Sequence, residues 1–128
     1  MQFDVFTTPL AQLAVDCIAV GVFDDAQLSS EAQALDRAAG GRLSRAVGRG
    51  DYALKVGETA LLVDLPGLAA PRVLLVGQGP RDRLTRKSWR RALGQAAAAV
   101  ARTQARSAAF ALARPPAREL DDYLAARS

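Results

Sequence analysis

The sequence predicts an α/β domain, a mixed sheet flanked by helices, and three observations carry that expectation. The stretch Ala60–Gly79, ALLVDLPGLAAPRVLLVGQG, holds two apolar runs, Ala60–Leu65 and Arg72–Val76, each the length of a buried strand. Val73-Leu74-Leu75-Val76 has no polar face, the habit of a strand covered on both sides. The link between the runs is shorter than the dozen or so residues a parallel crossover needs, so they read as antiparallel neighbours. Segments with helical period stand on either side of this pair.

In chain order, Phe3-Asp4-Val5-Phe6 alternates weakly and reads as a short first strand, with Thr7-Thr8-Pro9 as its exit. Asp16 to Val22 is nearly all apolar and reads as a central strand, closed by the turn residues Asp24-Asp25. Ser30 and Gln33 have capping-box spacing, and Glu31 occupies a first turn where the macrodipole favours an anion. Ala32, Leu35 and Ala39 then form an inward stripe up to Gly40-Gly41, a left-handed stop. A short helix from Arg42 to Val47 turns Leu43 and Val47 inward, and Asp51 to Glu58 is a polar connection or weak strand.

After Gly79-Pro80 the longest helix is predicted from Arg86 to Arg106. Trp89, Leu93, Ala96, Ala97 and Val100 form its buried face at i, i+4, i+7, i+8 and i+11. Small residues at 96–99 let it lie close to the sheet. Ser107 to Leu112 is a further strand, and Pro115-Pro116 opens a final helix with Leu120, Tyr123 and Leu124 on one side.

Composition narrows the chemistry. The chain has 128 residues, 50% hydrophobic and 23% charged, which is ordinary for one folded domain. Its net charge of +4 and pI near 10.0 are a modest basic excess, carried almost wholly by Arg, with Lys only at Lys55 and Lys87. Zero histidines exclude Ser-His and Cys-His dyads, the usual zinc ligand sets and the commonest general base at neutral pH. Cys17 is the single cysteine, so no intrachain disulfide is possible, and its apolar neighbours favour a buried structural thiol. The N-terminus lacks the layout of a signal peptide, and no run approaches the ~20 apolar residues of a membrane span, so a cytoplasmic chain with no membrane partner is expected.

Two site candidates emerge. Gly77-Gln78-Gly79, at the end of an apolar strand and before a helix, has the layout of a phosphate-binding turn, with Gly77 and Gly79 as its glycines. The third glycine of a dinucleotide fingerprint is absent, and a plain strand-ending turn is the simpler reading. Lys87, Arg91, Arg102 and Arg106 fall together on the helical wheel, a candidate nucleic-acid contact. No aromatics interleave with them for base stacking, and a solvated face, which needs no partner, is the simpler reading. Asp24-Asp25 and Asp121-Asp122 are adjacent pairs whose side chains point apart, so neither makes an acid/base dyad. No catalytic or metal-binding constellation emerges.

Four motifs in order then carry a resemblance: Cys17-Ile18-Ala19-Val20-Gly21-Val22-Phe23; Leu35-Asp36 with the Gly40-Gly41 break; Gly57-Glu58-Thr59-Ala60-Leu61-Leu62; and Arg72-Val73-Leu74-Leu75-Val76-Gly77-Gln78-Gly79. The series resembles the N-terminal domain of the leucyl aminopeptidase (cytosol aminopeptidase) family, over Phe3 to about Leu112. The resemblance implies a three-layer α/β/α, macro-domain-like fold preceding a catalytic domain that releases N-terminal amino acids from peptides with two divalent metal ions, manganese or zinc. The family's metal motif, Asn-Thr-Asp-Ala-Glu-Gly-Arg, is nowhere in this chain, so no catalytic or metal role is carried onto any residue. The expectation is a single non-catalytic domain over residues 1–128, cut before its last strand and inactive alone. Its implied partners are the enzyme's own catalytic domain, a homohexamer and, as in some bacterial members, DNA. A nucleotide or ADP-ribose module is the remaining alternative.

Overall fold

The structure, a computed structural model, describes residues 10–25, 27–48 and 55–115. Its elements are β1 (Cys17–Val22), α1 (Ser30–Ala38), α2 (Arg42–Gly48), β2 (Thr59–Val63), β3 (Arg72–Gly77), α3 (Arg86–Ala101) and β4 (Ala108–Ala111). Single 3-10 turns occupy Leu10–Gln12 and Arg81–Arg83. The strand expected at Phe3–Phe6, the helix expected after Pro115-Pro116 and positions 51–54 of the expected connection lie outside the described residues.

The four strands lie in the order β2-β3-β1-β4. β1 pairs parallel with both β3 and β4, while β2 and β3 form the antiparallel pair expected of the two apolar runs. The sheet is therefore mixed, and its two central strands are the two runs without a polar face. Alternate side chains divide between two layers. Ile18, Val20, Val22, Val73 and Leu75 meet α1 and α2 through Ala32, Leu35, Leu43 and Val47. Cys17, Ala19, Leu74 and Val76 meet Ala92, Ala96, Ala99 and Val100 of α3 on the other face. The result is the three-layer α/β/α arrangement.

Local chemistry moves several boundaries from their expected places. The cap of α1 is Ser29, not Ser30: its hydroxyl accepts from the Ala32 N–H at 3.2 Å. Ser29 is fixed there because its own N–H donates to the Gly21 carbonyl, one residue after the Val22–Leu28 bridge. The Gln33 side chain instead donates back to the Leu28 carbonyl at 3.0 Å. Helix α3 starts at a capping box of Thr85 and Ser88 and stops at Ala101, five residues before the expected Arg106. Thr103 explains the stop. Its hydroxyl donates to the Val100 carbonyl at 2.7 Å and accepts from the Ala105 N–H at 3.1 Å, so it competes with the helical ladder.

The buried face of α3 is also rotated from expectation. Ala92, Ala96, Ala99 and Val100 are buried, whereas Trp89 and Leu93 flank them half-buried. The sheet selects the smallest residues for its closest approach, and the large ones close the sides. Strand β2 is an edge with one open face rather than a covered strand, leaving Leu61 41% and Val63 56% exposed. It ends at Val63 rather than Leu65 because Asp64 turns left-handed, with φ 56°, and its N–H donates to the Pro71 carbonyl.

The β2–β3 connection packs on the end of α1. Gly67 has φ 80°, and a Cβ there would overlap the Ala38 carbonyl oxygen. Gly40 has φ 68° but opens onto free space. Gly40→Ala should therefore cost only the left-handed backbone term, about 1–2 kcal/mol. Gly67→Ala should cost clearly more, because it adds a clash with backbone. Urea denaturation of both variants checks this, and equal losses would remove the packing role of Gly67.

Candidate functional site

The carboxyl ends of β1, β3 and β4, the three mutually parallel strands, converge on one side of the sheet. Gln78, the first residue after β3, is 2% exposed and joins them. Its N–H donates to the Val22 carbonyl at the end of β1. Its side-chain amide then crosses to the segment after β4: Nε2 donates to the Ala113 carbonyl and Oε1 accepts from the Ala113 N–H, both at 2.8 Å. The route runs over Gly21 of β1, where any Cβ would collide with Oε1. A buried primary amide is thus satisfied by a pair of bonds that imitates a rung of sheet ladder.

The expected phosphate turn is occupied by these bonds. The Gly77 N–H donates to the Glu58 carbonyl at 2.8 Å, and the Gln78 N–H is held by Val22. Gly79, at φ 76°, offers its carbonyl to the Asp24 N–H. Gly77 and Gly79 therefore shape the strand end, and two of the turn's amides already have backbone partners.

Beside the Gln78 junction lies a cleft of about 320 Å³, lined by Phe23, Leu28, Ser30, Glu31, Arg81 and Arg114 among others. Phe23 and Leu28 are buried and form its apolar wall. The Arg81 guanidinium stands over the Phe23 ring, 4.9 Å from its centroid, which sets the cation at the rim. Arg114 follows Ala113 directly, so the Gln78 clamp fixes where it emerges. Sequence reasoning missed this group. The available signals were a polar residue between two glycines at an apolar strand end and a glycine inside the run 17–22.

The four candidate nucleic-acid residues are all exposed, but they do not share one helix. Lys87 and Arg91 lie on α3, Arg102 is its C-cap, and Arg106 follows in the loop, where its N–H donates to Asp16 Oδ2 at 2.7 Å. Arg91 lies along the turn at Gly57, whose added Cβ would come within 3.6 Å of Nε. Asp24-Asp25 is the expected turn, with Asp25 Oδ1 accepting from the Gln27 N–H. Among the described residues no group of three His, Cys, Asp or Glu side chains is placed to hold a metal ion. The described side chains do not fit a two-metal centre. Cys17 is fully buried, and burial pushes its thiol above the ordinary pKa against a smaller opposing pull from Arg72. No helix among the described residues is long and apolar enough to cross a membrane.

Strand order, mixed pairing and two helical layers define a macrodomain-like fold. The macrodomain of Mycobacterium tuberculosis DarG is similar, with a TM-score of 0.64 over 85% of this chain and 74% of that one. At 12% identity the likeness concerns the fold alone. Residues 19–128 match the family model described as cytosol aminopeptidase family, N-terminal domain. The chain belongs to that family. Probable cytosol aminopeptidases are similar at 50% identity over 100 residues in Xanthomonas axonopodis pv. citri and at 45% over 114 residues in Stenotrophomonas maltophilia. These matches take in 78% and 89% of this chain but 20% and 23% of the relatives. The chain thus spans about a fifth of their length.

Two outcomes follow from the geometry. Gly21→Ala and Gln78→Ala should each destabilise by about 1–3 kcal/mol, since each strips partners from buried amide groups. The double variant should cost well below their sum, because both break one junction. Strict additivity in urea denaturation would show that no clamp exists. At pH 8 Cys17 should resist Ellman's reagent in the native chain and react fully once unfolded, because a raised pKa and burial both suppress the thiolate. Rapid stoichiometric labelling of the folded chain would contradict its placement.

Proposed function

We propose that this chain is the accessory N-terminal domain of a cytoplasmic leucyl metallo-aminopeptidase, a hydrolase that releases N-terminal amino acids from peptides. It is chemically silent alone and serves assembly or regulation of the catalytic part. One observation carries the reading: the family's N-terminal domain matches residues 19–128, while the chain spans about a fifth of the aminopeptidases it resembles. The residues support a non-catalytic role. The chain has no histidine, and its described carboxylates do not gather into a metal-holding group. In this reading two divalent ions, manganese or zinc, belong to the catalytic region, which also builds a homohexamer.

Nucleic-acid contact through Lys87, Arg91, Arg102 and Arg106 has less support, because the helix stops before two of the four. An ADP-ribose module has less still, since a shared fold does not carry a shared ligand.

A chimera tests the main reading. In the Xanthomonas aminopeptidase, the matching N-terminal segment is replaced by this chain, and manganese-dependent hydrolysis of leucine p-nitroanilide is measured. The chimera should assemble and hydrolyse within about tenfold of the parent, a difference of ~1.4 kcal/mol in barrier. The 128-residue chain alone should give no turnover above buffer. A chimera that folds but neither assembles nor hydrolyses, or metal-dependent turnover by the chain alone, would overturn the assignment.

A further inference from the structure

The cleft at the strand ends has an unusual charge arrangement. Its lining includes two arginines, Arg81 and Arg114, and one acid, Glu31, in the first turn of α1. Among the described residues neither arginine is ion-paired with Glu31. Opposite charges thus share one concavity without pairing with each other. Behind them, Phe23 and Leu28 form an apolar wall. A purely anionic ligand would meet the Glu31 carboxylate, and a purely cationic one would meet both arginines. A ligand carrying both charges and an apolar body satisfies every group at once.

Size points the same way. At 320 Å³ the cleft sits at the bottom of the roughly 300–1,000 Å³ range of small-molecule sites, suited to a compact metabolite rather than a dinucleotide. Its place, outside the carboxyl ends of parallel strands, is where open α/β sheets present ligand crevices. The site is also built rather than incidental. Gln78 ties the ends of β1 and β3 to Ala113, and Arg81 is steadied over Phe23.

We propose that this cleft binds a free α-amino acid with an apolar side chain. Arg81 and Arg114 receive the carboxylate, Glu31 receives the ammonium, and the side chain rests on Phe23 and Leu28. Binding rests on the cleft alone. Its meaning rests on the aminopeptidase reading, in which such an amino acid is the reaction product and the domain senses product accumulation.

The test is an NMR titration of the 128-residue chain with L-leucine, leucinamide, 4-methylpentanoate and inorganic phosphate. L-leucine should shift the amides around Glu31, Arg81 and Arg114. Leucinamide, lacking the carboxylate, and 4-methylpentanoate, lacking the ammonium, should each bind at least about tenfold more weakly, as expected when one charge-assisted contact is lost. Glu31→Gln should weaken L-leucine by a similar factor while leaving 4-methylpentanoate unchanged or tighter. Absence of shifts with millimolar L-leucine would overturn the proposal. So would 4-methylpentanoate or phosphate binding as tightly as L-leucine. None of these results bears on the aminopeptidase assignment, which the chimera decides separately, so failure of one is distinguishable from failure of the other.

Discussion

The Gln78 side chain is the constraint on which the working end of this domain depends. Its amide is buried, so both its donor and its acceptor require partners, and it finds them on one residue, Ala113, 35 positions away. That bond pair fixes the exit of β4 relative to β3, although β1 lies between them. The geometry is possible only because Gly21 leaves a groove across β1. A buried amide with one bond lost leaves groups unsatisfied at a cost of about 1–3 kcal/mol each, so the junction is held as a unit. Arg81 and Arg114 emerge a few residues beyond it, and the cleft inherits its shape from this internal cross-link.

Much of the scaffold was legible because single runs of sequence determine it. Val73-Leu74-Leu75-Val76 and Cys17-Ile18-Ala19-Val20 have no polar face, and both became central strands buried from two sides. The short link at 64–71 forced the antiparallel pair, and Gly40-Gly41 took the left-handed conformation expected of a helix stop. What escaped was decided between elements. Leu61 and Val63 look as apolar as Leu74 and Val76, but α3 packs chiefly over the central strands and only skirts the edge strand, leaving these side chains partly open. The face of α3 turned because contact distance to the sheet, not hydrophobicity alone, chose Ala92 over Trp89. Helix termini shifted through hydroxyl groups, Ser29 and Thr103, whose roles depend on which backbone group is within reach.

The site was less legible than the fold for the same reason. The glycines of Gly77-Gln78-Gly79 suggested a turn open to phosphate, while the residue between them carried the structural information. A glutamine announces no partner in sequence. Its meaning appears only when Gly21 and Ala113 are brought beside it by strand pairing. The cleft likewise assembles Phe23, Glu31, Arg81 and Arg114 from the ends of three strands and the start of one helix. No spacing rule connects those positions.

On the proposed reading the cleft holds its ligand through charge, and the groups around it fit that role. Arginine stays protonated across the physiological range and so supplies fixed charge without proton transfer. The chain has no histidine, the usual group that changes charge near neutrality. Its single thiol is sealed between β1 and α3 with a raised pKa, remote in function from the cleft that Phe23 and Leu28 line. Charges of both signs beside an apolar wall can orient a small zwitterion. On the proposed reading, a domain built in this way would complement a catalytic partner by recognising what that partner releases.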